Sequence, residues 1–257
     1  MLNFAINTAR EAGRMLLERF GRHLQISNKG AIDLVTEADL AAEAFIIERI
    51  KSYYPRHQIL AEESGASETR FAGEGLDYRW IIDPLDGTTN YAHGYPCFCV
   101  SIALEHKGEI TLGVICDPVR DELFAAERGA GATLNERRIH VSDVDDLSRA
   151  LLCTGFPYNV REYADFARHF TNFIMHAQAV RRDGSAALDL AYLACGRFDG
   201  FWAEGLHPWD VAAGVLLIEE AGGRVSRYDN SPFNIYTPPI LASNALIHDE
   251  MIRVLAL

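Results

Sequence analysis

The chain has 257 residues, of which 49% are hydrophobic, and a formal net charge of −12 at pH 7. This length and apolar content predict a globular protein with one large or two closely packed domains. No run approaches the roughly 18 apolar residues of a membrane span, and the N-terminus lacks a signal-peptide core, so we expect a cytoplasmic protein without a membrane partner. The acidic balance argues against nucleic acid as a ligand. Five scattered cysteines favour reduced thiols over a disulfide framework.

Two helices are predicted in the first fifty residues. Apolar residues recur at helical spacing over residues 2–20, up to Gly21, and again over residues 40–50. Thr36 is a candidate N-cap of the second helix, which places Asp39 in its first turn, where the helix dipole favours an acid. Asp39 can therefore be a capping residue or a catalytic one, and the local pattern leaves both open.

The most informative stretch covers residues 80–90, where an apolar run leads into two carboxylates, a proline, a glycine and two threonines. We expect the strand to stop at Pro84, so that Asp83 and Asp86 leave the sheet together. Hard oxygen donors of this kind suit Mg²⁺, while Gly87 allows an anion to approach the backbone closely. The alternative is an ordinary turn that caps the strand.

A further acidic pair follows the short predicted strand Gln58–Ala61. Glutamates are mostly solvated surface residues, so Glu62 and Glu63 would be unremarkable alone. Their position at a strand end, shortly before the Asp83 stretch, makes Glu62 a candidate third ligand. Residues 67–77 read as an exposed loop.

A largely antiparallel sheet is predicted next. A hairpin signal at Lys107-Gly108 joins two strand-like runs within residues 98–118. Residues 123–126 and 139–141 predict another pairing across a glycine-rich connection.

The chain becomes polar and acidic near residue 145, where we divide it into residues 1–145 and 146–257. The second half alternates strands and helices, which is typical of an α/β layer. Gly184 and Ser185 open one helix, whose free N–H groups make a plausible anion or hydroxyl site. Asp210 lies in the first turn of another helix, where an acid is favourable even without a ligand.

Several long motifs in order resemble those of the inositol monophosphatase family of Mg²⁺-dependent, lithium-sensitive phosphatases. They are Glu62-Glu63-Ser64, residues 83–90, and residues 209–214 with 220–223, supported by blocks at residues 33–39 and 184–191. The resemblance implies a layered αβαβα sandwich of the sugar-phosphatase type, in the α+β / α/β class. Residues 1–145 would form an α+β half, with a helix pair, a mostly antiparallel sheet and most of the metal ligands, and residues 146–257 an α/β half with Asp210 and the substrate-alcohol contacts. It also implies a homodimer, because homodimers are common in the family.

The resemblance implies a role for each motif residue. Mg²⁺ would be held by Glu62, Asp83, the Leu85 carbonyl, Asp86 and Asp210. Asp39 and Thr88 would orient and activate the attacking water, and Glu62 is also assigned a catalytic role. Substrate contacts would come from Asp86, Gly87, Thr88, Gly184, Ser185, Ala186, Glu204 and Asp210. A bound cation would also let an acidic protein attract an anionic substrate.

Two positions depart from the family pattern. Ala203 stands where the family has a glutamate that holds inositol hydroxyls, and Glu204 is one place later, so either Glu204 substitutes or the alcohol contacts differ. Lys29 stands one residue nearer Asp33 than in the animal enzymes, and its role stays open.

We therefore predict a Mg²⁺-dependent phosphomonoesterase that hydrolyses inositol 1-phosphate or a similar polyol or sugar monophosphate with metal-activated water. One alternative keeps the chemistry and changes the substrate to histidinol phosphate, fructose 1,6-bisphosphate, NADP or a 3′-phosphoadenosine nucleotide. The other is an interaction protein with secondary phosphatase activity.

Overall fold

The structure is a computed structural model that describes residues 1–22, 26–28, 34–67, 77–156 and 165–257. In these ranges the helices are α1 (Leu2–Arg19), α2 (Glu37–Tyr53), α3 (Thr88–Ala92), α4 (Phe166–His176), α5 (Ala186–Ala194), α6 (Pro208–Glu220) and α7 (His248–Leu255). The strands are β1 (Ile26–Asn28), β2 (Leu34–Thr36), β3 (Gln58–Ala61), β4 (Gly65–Ser67), β5 (Tyr78–Asp86), β6 (Cys99–His106), β7 (Glu109–Asp117), β8 (Glu122–Glu127), β9 (Gly131–Leu134), β10 (Arg137–Arg138), β11 (Leu151–Thr154), β12 (Ala179–Arg181), β13 (Gly200–Ala203), β14 (Arg224–Ser226) and β15 (Ile240–Ser243). None of these helices is long and apolar enough to cross a bilayer.

Two large sheets occupy different parts of the described chain. The first has the order β10-β9-β8-β7-β6-β5-β3-β4 and is antiparallel except where β3 runs parallel to β5. The second has the order β12-β11-β13-β15-β14, with β11 parallel to both of its neighbours. Sheet membership therefore changes between Arg138 and Leu151, on either side of the predicted boundary. The division into two domains stays a prediction.

Helices and sheets alternate in five layers. Helices α1 and α2 cover one face of the first sheet, where Trp80 and Ile82 are buried with Leu16 and Ile46. Helices α5 and α6 fill the space between the two sheets, and the residues buried there include Ile81 of β5. Residues of α4 and α7 are buried together with Trp202 and Leu241 on the far face of the second sheet. The predicted αβαβα sandwich is confirmed, because each sheet buries both faces against helices.

The prediction that the strand stops at Pro84 is wrong. Strand β5 continues to Asp86, and its pairing with β6 passes from Asp83–Ser101 to Asp86–Cys99, so β5 carries one extra residue there. This β-bulge accommodates Pro84, which cannot donate to a regular ladder. Ser101 and Cys99 are two residues apart and lie on one face, so the bulge brings Asp83 and Asp86 to the same face.

The predicted hairpin at Lys107-Gly108 is confirmed: it joins β6 to β7, and both residues have positive φ, 52° and 83°. The predicted pairing of residues 123–126 with 139–141 is wrong, because β8 pairs with β9. A tight glycine-containing turn at residues 128–130 returns the chain at once. The predicted helix start at Tyr163, the Lys29 to Asp33 segment and most of the predicted loop at 67–77 lie outside the described residues.

Candidate active site

Three carboxylates meet where β5 ends. Oxygens of Asp83, Asp86 and Asp210 all lie within 4.8 Å of one another. The bulge turns both β5 aspartates towards the middle helix layer, and Asp210 lies in the first turn of α6, which packs against β5. Glu62 directly follows β3, and its backbone N–H donates to the carbonyl of Ile82 at 3.2 Å, beside Asp83. The predicted acidic ligands therefore come together at the C-terminal ends of β3 and β5 in the first sheet.

Burial and like charge act together on these acids. The pKa of Asp83 is raised well above its ordinary value, first by burial and then by the charges of Glu62, Asp86 and Asp210. Burial also raises the pKa of Asp86, against the lowering effect of hydrogen bonds from Ser185 and Ala187. A divalent cation would relieve this repulsion, and an all-oxygen set of carboxylates fits a hard cation.

The predicted Asp39–Thr88 pair is in place. The Thr88 hydroxyl lies 2.9 Å from Asp39 Oδ1 and 3.0 Å from the Leu85 carbonyl oxygen. A hydroxyl has one proton, so Thr88 donates to only one of these acceptors at a time. If a cation takes the Leu85 carbonyl, the proton is directed to Asp39.

The capping role and the pairing role of Asp39 coexist. Thr36 is the N-cap of α2, and Asp39 Oδ2 accepts from the Thr36 backbone N–H at 2.9 Å and from its hydroxyl at 2.5 Å. The other oxygen, Oδ1, faces Thr88. Asp39 is fully buried, and burial raises its pKa, while the hydrogen bonds from Thr36 and Thr88 act in the opposite direction. The predicted cap is confirmed.

Gly87 connects β5 to α3 in a conformation that favours glycine. Its φ is +101°, and a Cβ there would lie 2.8 Å from the carbonyl oxygen of Cys97. The chain can therefore turn from Asp86 into Thr88 only because this position has no side chain.

Replacing Gly87 by alanine is expected to lower the free energy of unfolding by about 2–4 kcal/mol, because positive-φ strain and a backbone clash add. Gly94→Ala is the matched control: its φ is +70°, but a Cβ there has nothing within 4 Å. The control should cost only about 1–2 kcal/mol. Chemical denaturation measures both variants, and equal losses would refute the close-approach argument.

The N-terminus of α5 holds an anion that belongs to the protein itself. Asp86 Oδ2 accepts from the Ser185 hydroxyl at 2.7 Å and from the Ala187 N–H at 2.6 Å. Asn90 ties the same region to α3, because its side-chain amide donates to the carbonyls of Cys97 and Asp183, both at 2.8 Å. Gly184 and Ser185, predicted as an anion site, therefore precede a helix start at which Ser185 and Ala187 orient Asp86.

Glu204 lies on the opposite side of the second sheet from Ala203. Ala203 is fully buried in the middle layer with Phe201, whereas Oε1 of Glu204 is 3.3 Å from Nδ1 of His169 on α4. This contact is an ion pair when His169 is protonated. Its geometry is not that of a hydrogen bond. Side chains alternate along a strand, so one register step reverses the direction. The placement does not favour the prediction that Glu204 contacts the substrate.

A cavity of about 80 Å³ opens beside the acids. Its lining in the described chain is Asp86, Gly155, Phe156, Arg182, Gly184, Ser185, Ala186, Asp189, Leu206 and Asp210. Five of the predicted substrate contacts therefore share one cavity with Asp189.

The model of the inositol monophosphatase family matches residues 1–256. This chain belongs to that family. It is 48% identical to an inositol-1-monophosphatase from Synechocystis, over 99% of this chain and 88% of the relative, and 46% identical to Nus factor SuhB from Pseudomonas aeruginosa, over 95% and 91%. The solved inositol monophosphatase from Anabaena has a TM-score of 0.87 and 49% identity, covering 99% of this chain and 94% of that one. The chain is thus a phosphatase of the inositol monophosphatase family.

Asp189 and Glu43 are among the buried acids that escaped the sequence-based prediction. Asp189 is 1% exposed on α5, and Glu43 is 4% exposed on α2, where it accepts from the Glu63 N–H at 2.8 Å. The signal at Asp189 is a single carboxylate in an otherwise apolar and small-residue helix. Glu43 carried no comparable signal, because glutamate is ordinary on a surface helix.

Proposed function

We propose that this phosphatase uses Mg²⁺ and that its substrate is inositol 1-phosphate or a similar polyol or sugar monophosphate. The observation that carries the proposal is the convergence of Asp83, Asp86 and Asp210 at the end of β5, next to the Asp39–Thr88 pair. The name inositol-1-monophosphatase of a relative at 48% identity supports the substrate class.

In the proposed site, Glu62, Asp83, Asp86, Asp210 and the Leu85 carbonyl hold the metal. When bound, Mg²⁺ supplies Lewis-acid polarisation of the phosphate oxygens. Backbone N–H groups at Gly87 and Thr88 bind the phosphate, and residues 184–186 bound the space beside it.

The chain itself moves the proton. The Thr88 oxygen accepts a hydrogen from the attacking water while the Thr88 hydroxyl donates to Asp39 Oδ1, so Asp39 acts as the base through Thr88. The two hydrogen bonds from Thr36 hold the carboxylate in this orientation. No covalent enzyme intermediate is required.

Without metal, the wild-type protein is expected to lose stability relative to the Asp83→Asn variant as the pH rises above about 4, which is the ordinary aspartate pKa. The folded-state pKa of Asp83 is raised, so its stabilising contribution is complete below the unfolded-state pKa and disappears as the pH rises through the folded-state value. Mg²⁺ at about 100 times its Kd should restore about 2.7 kcal/mol, a Tm increase of roughly 5–11 °C. Thermal melts from pH 5 to 8, with chelator or Mg²⁺, measure this. Identical pH profiles for wild type and variant would contradict it.

A phosphate-release panel tests the substrate. Inositol 1-phosphate should give the highest kcat/KM with Mg²⁺ when compared with histidinol phosphate, fructose 1,6-bisphosphate, NADP and a 3′-phosphoadenosine nucleotide. Substituting Mn²⁺ or Ca²⁺ tests the metal in the same assay. A clear preference for histidinol phosphate or a nucleotide would remove the inositol assignment.

We also expect, from family membership, a cytoplasmic homodimer that lithium inhibits. Light scattering measures the oligomer, and a lithium titration of the phosphatase assay measures the inhibition.

A second candidate role is binding to another protein. The relative from Pseudomonas aeruginosa, 46% identical, is named Nus factor SuhB. Comparing a deletion strain with a strain whose chromosomal copy encodes Asp86→Asn distinguishes the two roles. A deletion phenotype that this variant rescues would support a non-catalytic role, whereas failure to rescue would assign the phenotype to hydrolysis.

A further inference from the structure

Asp189 is a buried carboxyl group to which the described part of the chain offers no hydrogen-bond partner. It is 1% exposed, and neither of its oxygens is hydrogen-bonded to a described residue. Burial is the largest cause that raises its pKa well above the ordinary value, and the charges of Asp183 and Asp86 raise it further. The charge of Arg182 acts in the opposite direction. Buried polar groups are normally satisfied, so two orphan oxygens call for a ligand or ordered water.

The cavity beside Asp189 can hold such a ligand. Its volume of about 80 Å³ exceeds what a single water needs and suits a few waters or one edge of a small polyol. Asp86 and Asp210, two of the proposed metal ligands, line the same cavity. A phosphate ester held by the metal would therefore place its alcohol portion within reach of this cavity.

The second sheet contributes no carboxylate to the described lining of this cavity. Ala203 is buried behind Gly155, its methyl group 3.7 Å from the position that a Cβ on Gly155 would take. Glu204 is directed to His169 instead. Asp189 is thus the remaining carboxylate in the lining besides the two proposed metal ligands.

We propose that Asp189 binds a hydroxyl group of the substrate alcohol and thereby favours polyol phosphates over monoesters without hydroxyls. The inference rests on the proposed function, since the cavity matters only if the phosphate sits at the acids. A carboxyl group can accept a hydrogen bond from the hydroxyl, and a site that hydrogen-bonds a substrate hydroxyl rejects analogues lacking it.

The test compares inositol 1-phosphate with 4-nitrophenyl phosphate, which has no alcohol hydroxyls, at saturating Mg²⁺. Asp189→Leu replaces both oxygens with methyl groups and should raise KM for inositol 1-phosphate about tenfold, while KM for 4-nitrophenyl phosphate changes less than about twofold. Asp189→Asn retains one oxygen and should show a smaller selective increase, about threefold.

Gly155→Ala is an independent probe of the cavity. Among the described residues, a Cβ at Gly155 meets the Ala203 Cβ at 3.7 Å and Leu206 Cδ2 at 4.0 Å, which are ordinary contacts, so the variant should fold and narrow the cavity. It should raise KM for inositol 1-phosphate selectively, by about threefold or more.

Each outcome decides a different statement. If Asp189→Leu does not fold, Asp189→Asn decides, and an unchanged or proportional KM for both substrates overturns the role of Asp189 as a hydroxyl contact. A wild-type protein that cleaves 4-nitrophenyl phosphate but no polyol phosphate overturns the proposed substrate and this inference together. A wild-type protein that prefers polyol phosphates, with variants that retain that preference, leaves the proposed function standing and overturns only the inference.

Discussion

Replacing Asp86 by asparagine is expected to lower kcat at saturating Mg²⁺ by about 10²- to 10³-fold or more, because the site loses a charged oxygen donor at the reacting phosphate. The fold should persist, since the asparagine carbonyl can still accept from Ser185 and the Ala187 N–H. Removing one charge from a cluster of repelling acids should leave the metal-free Tm unchanged or raise it. Phosphate release and thermal melts measure the two effects separately.

Asp145→Asn is the matched control for that experiment. Asp145 is an exposed carboxylate that pairs with Arg149 on the surface, so the same chemical change there should alter neither kcat nor Tm appreciably. Full residual activity in Asp86→Asn would show that the metal site is misassigned.

Asp39→Asn is expected to lower kcat by about 10²- to 10⁴-fold with little change in KM, because a neutral amide cannot act as the base through Thr88. Asparagine has a single side-chain oxygen, and the two Thr36 donors favour keeping it at the cap. The amide nitrogen then faces Thr88, which is left to donate to the Leu85 carbonyl. Steady-state kinetics and circular dichroism check activity and folding.

Thr36→Ala separates the cap from the catalytic pair. It removes the N-cap hydroxyl, leaves the Thr88–Asp39 contact untouched, and should cost about 1 kcal/mol of stability. kcat should fall by less than about tenfold, because the backbone N–H of position 36 still holds Asp39. A kcat loss as large as that of Asp39→Asn would show that Asp39 acts chiefly through its cap.

Local rules explain why much of the fold was predictable. The Thr36 cap, the Lys107-Gly108 hairpin and the strand before Glu62 each depend on residues adjacent in sequence, and the structure has all three. The stop at Pro84 was wrong because β5 accommodates the proline in a bulge while it pairs with β6, a pairing that no local pattern shows. The hairpin partner of β8 was missed for a related reason, since glycines at the turn outweighed the apolar run at residues 139–141.

The sequence by itself indicated the family and the candidate acids, because these depend on residue types in a fixed order, and the αβαβα sandwich followed as what that resemblance implies. Only the tertiary structure decided which acids share a face and what surrounds them. One extra residue in β5 aligns Asp83 with Asp86, and Ala203 at the end of β13 lies in the middle layer while the next residue, Glu204, contacts His169. The proposed role of Asp189 arises in the same way, since a helix carboxylate is buried without a described partner beside a cavity only when distant strands and helices enclose it.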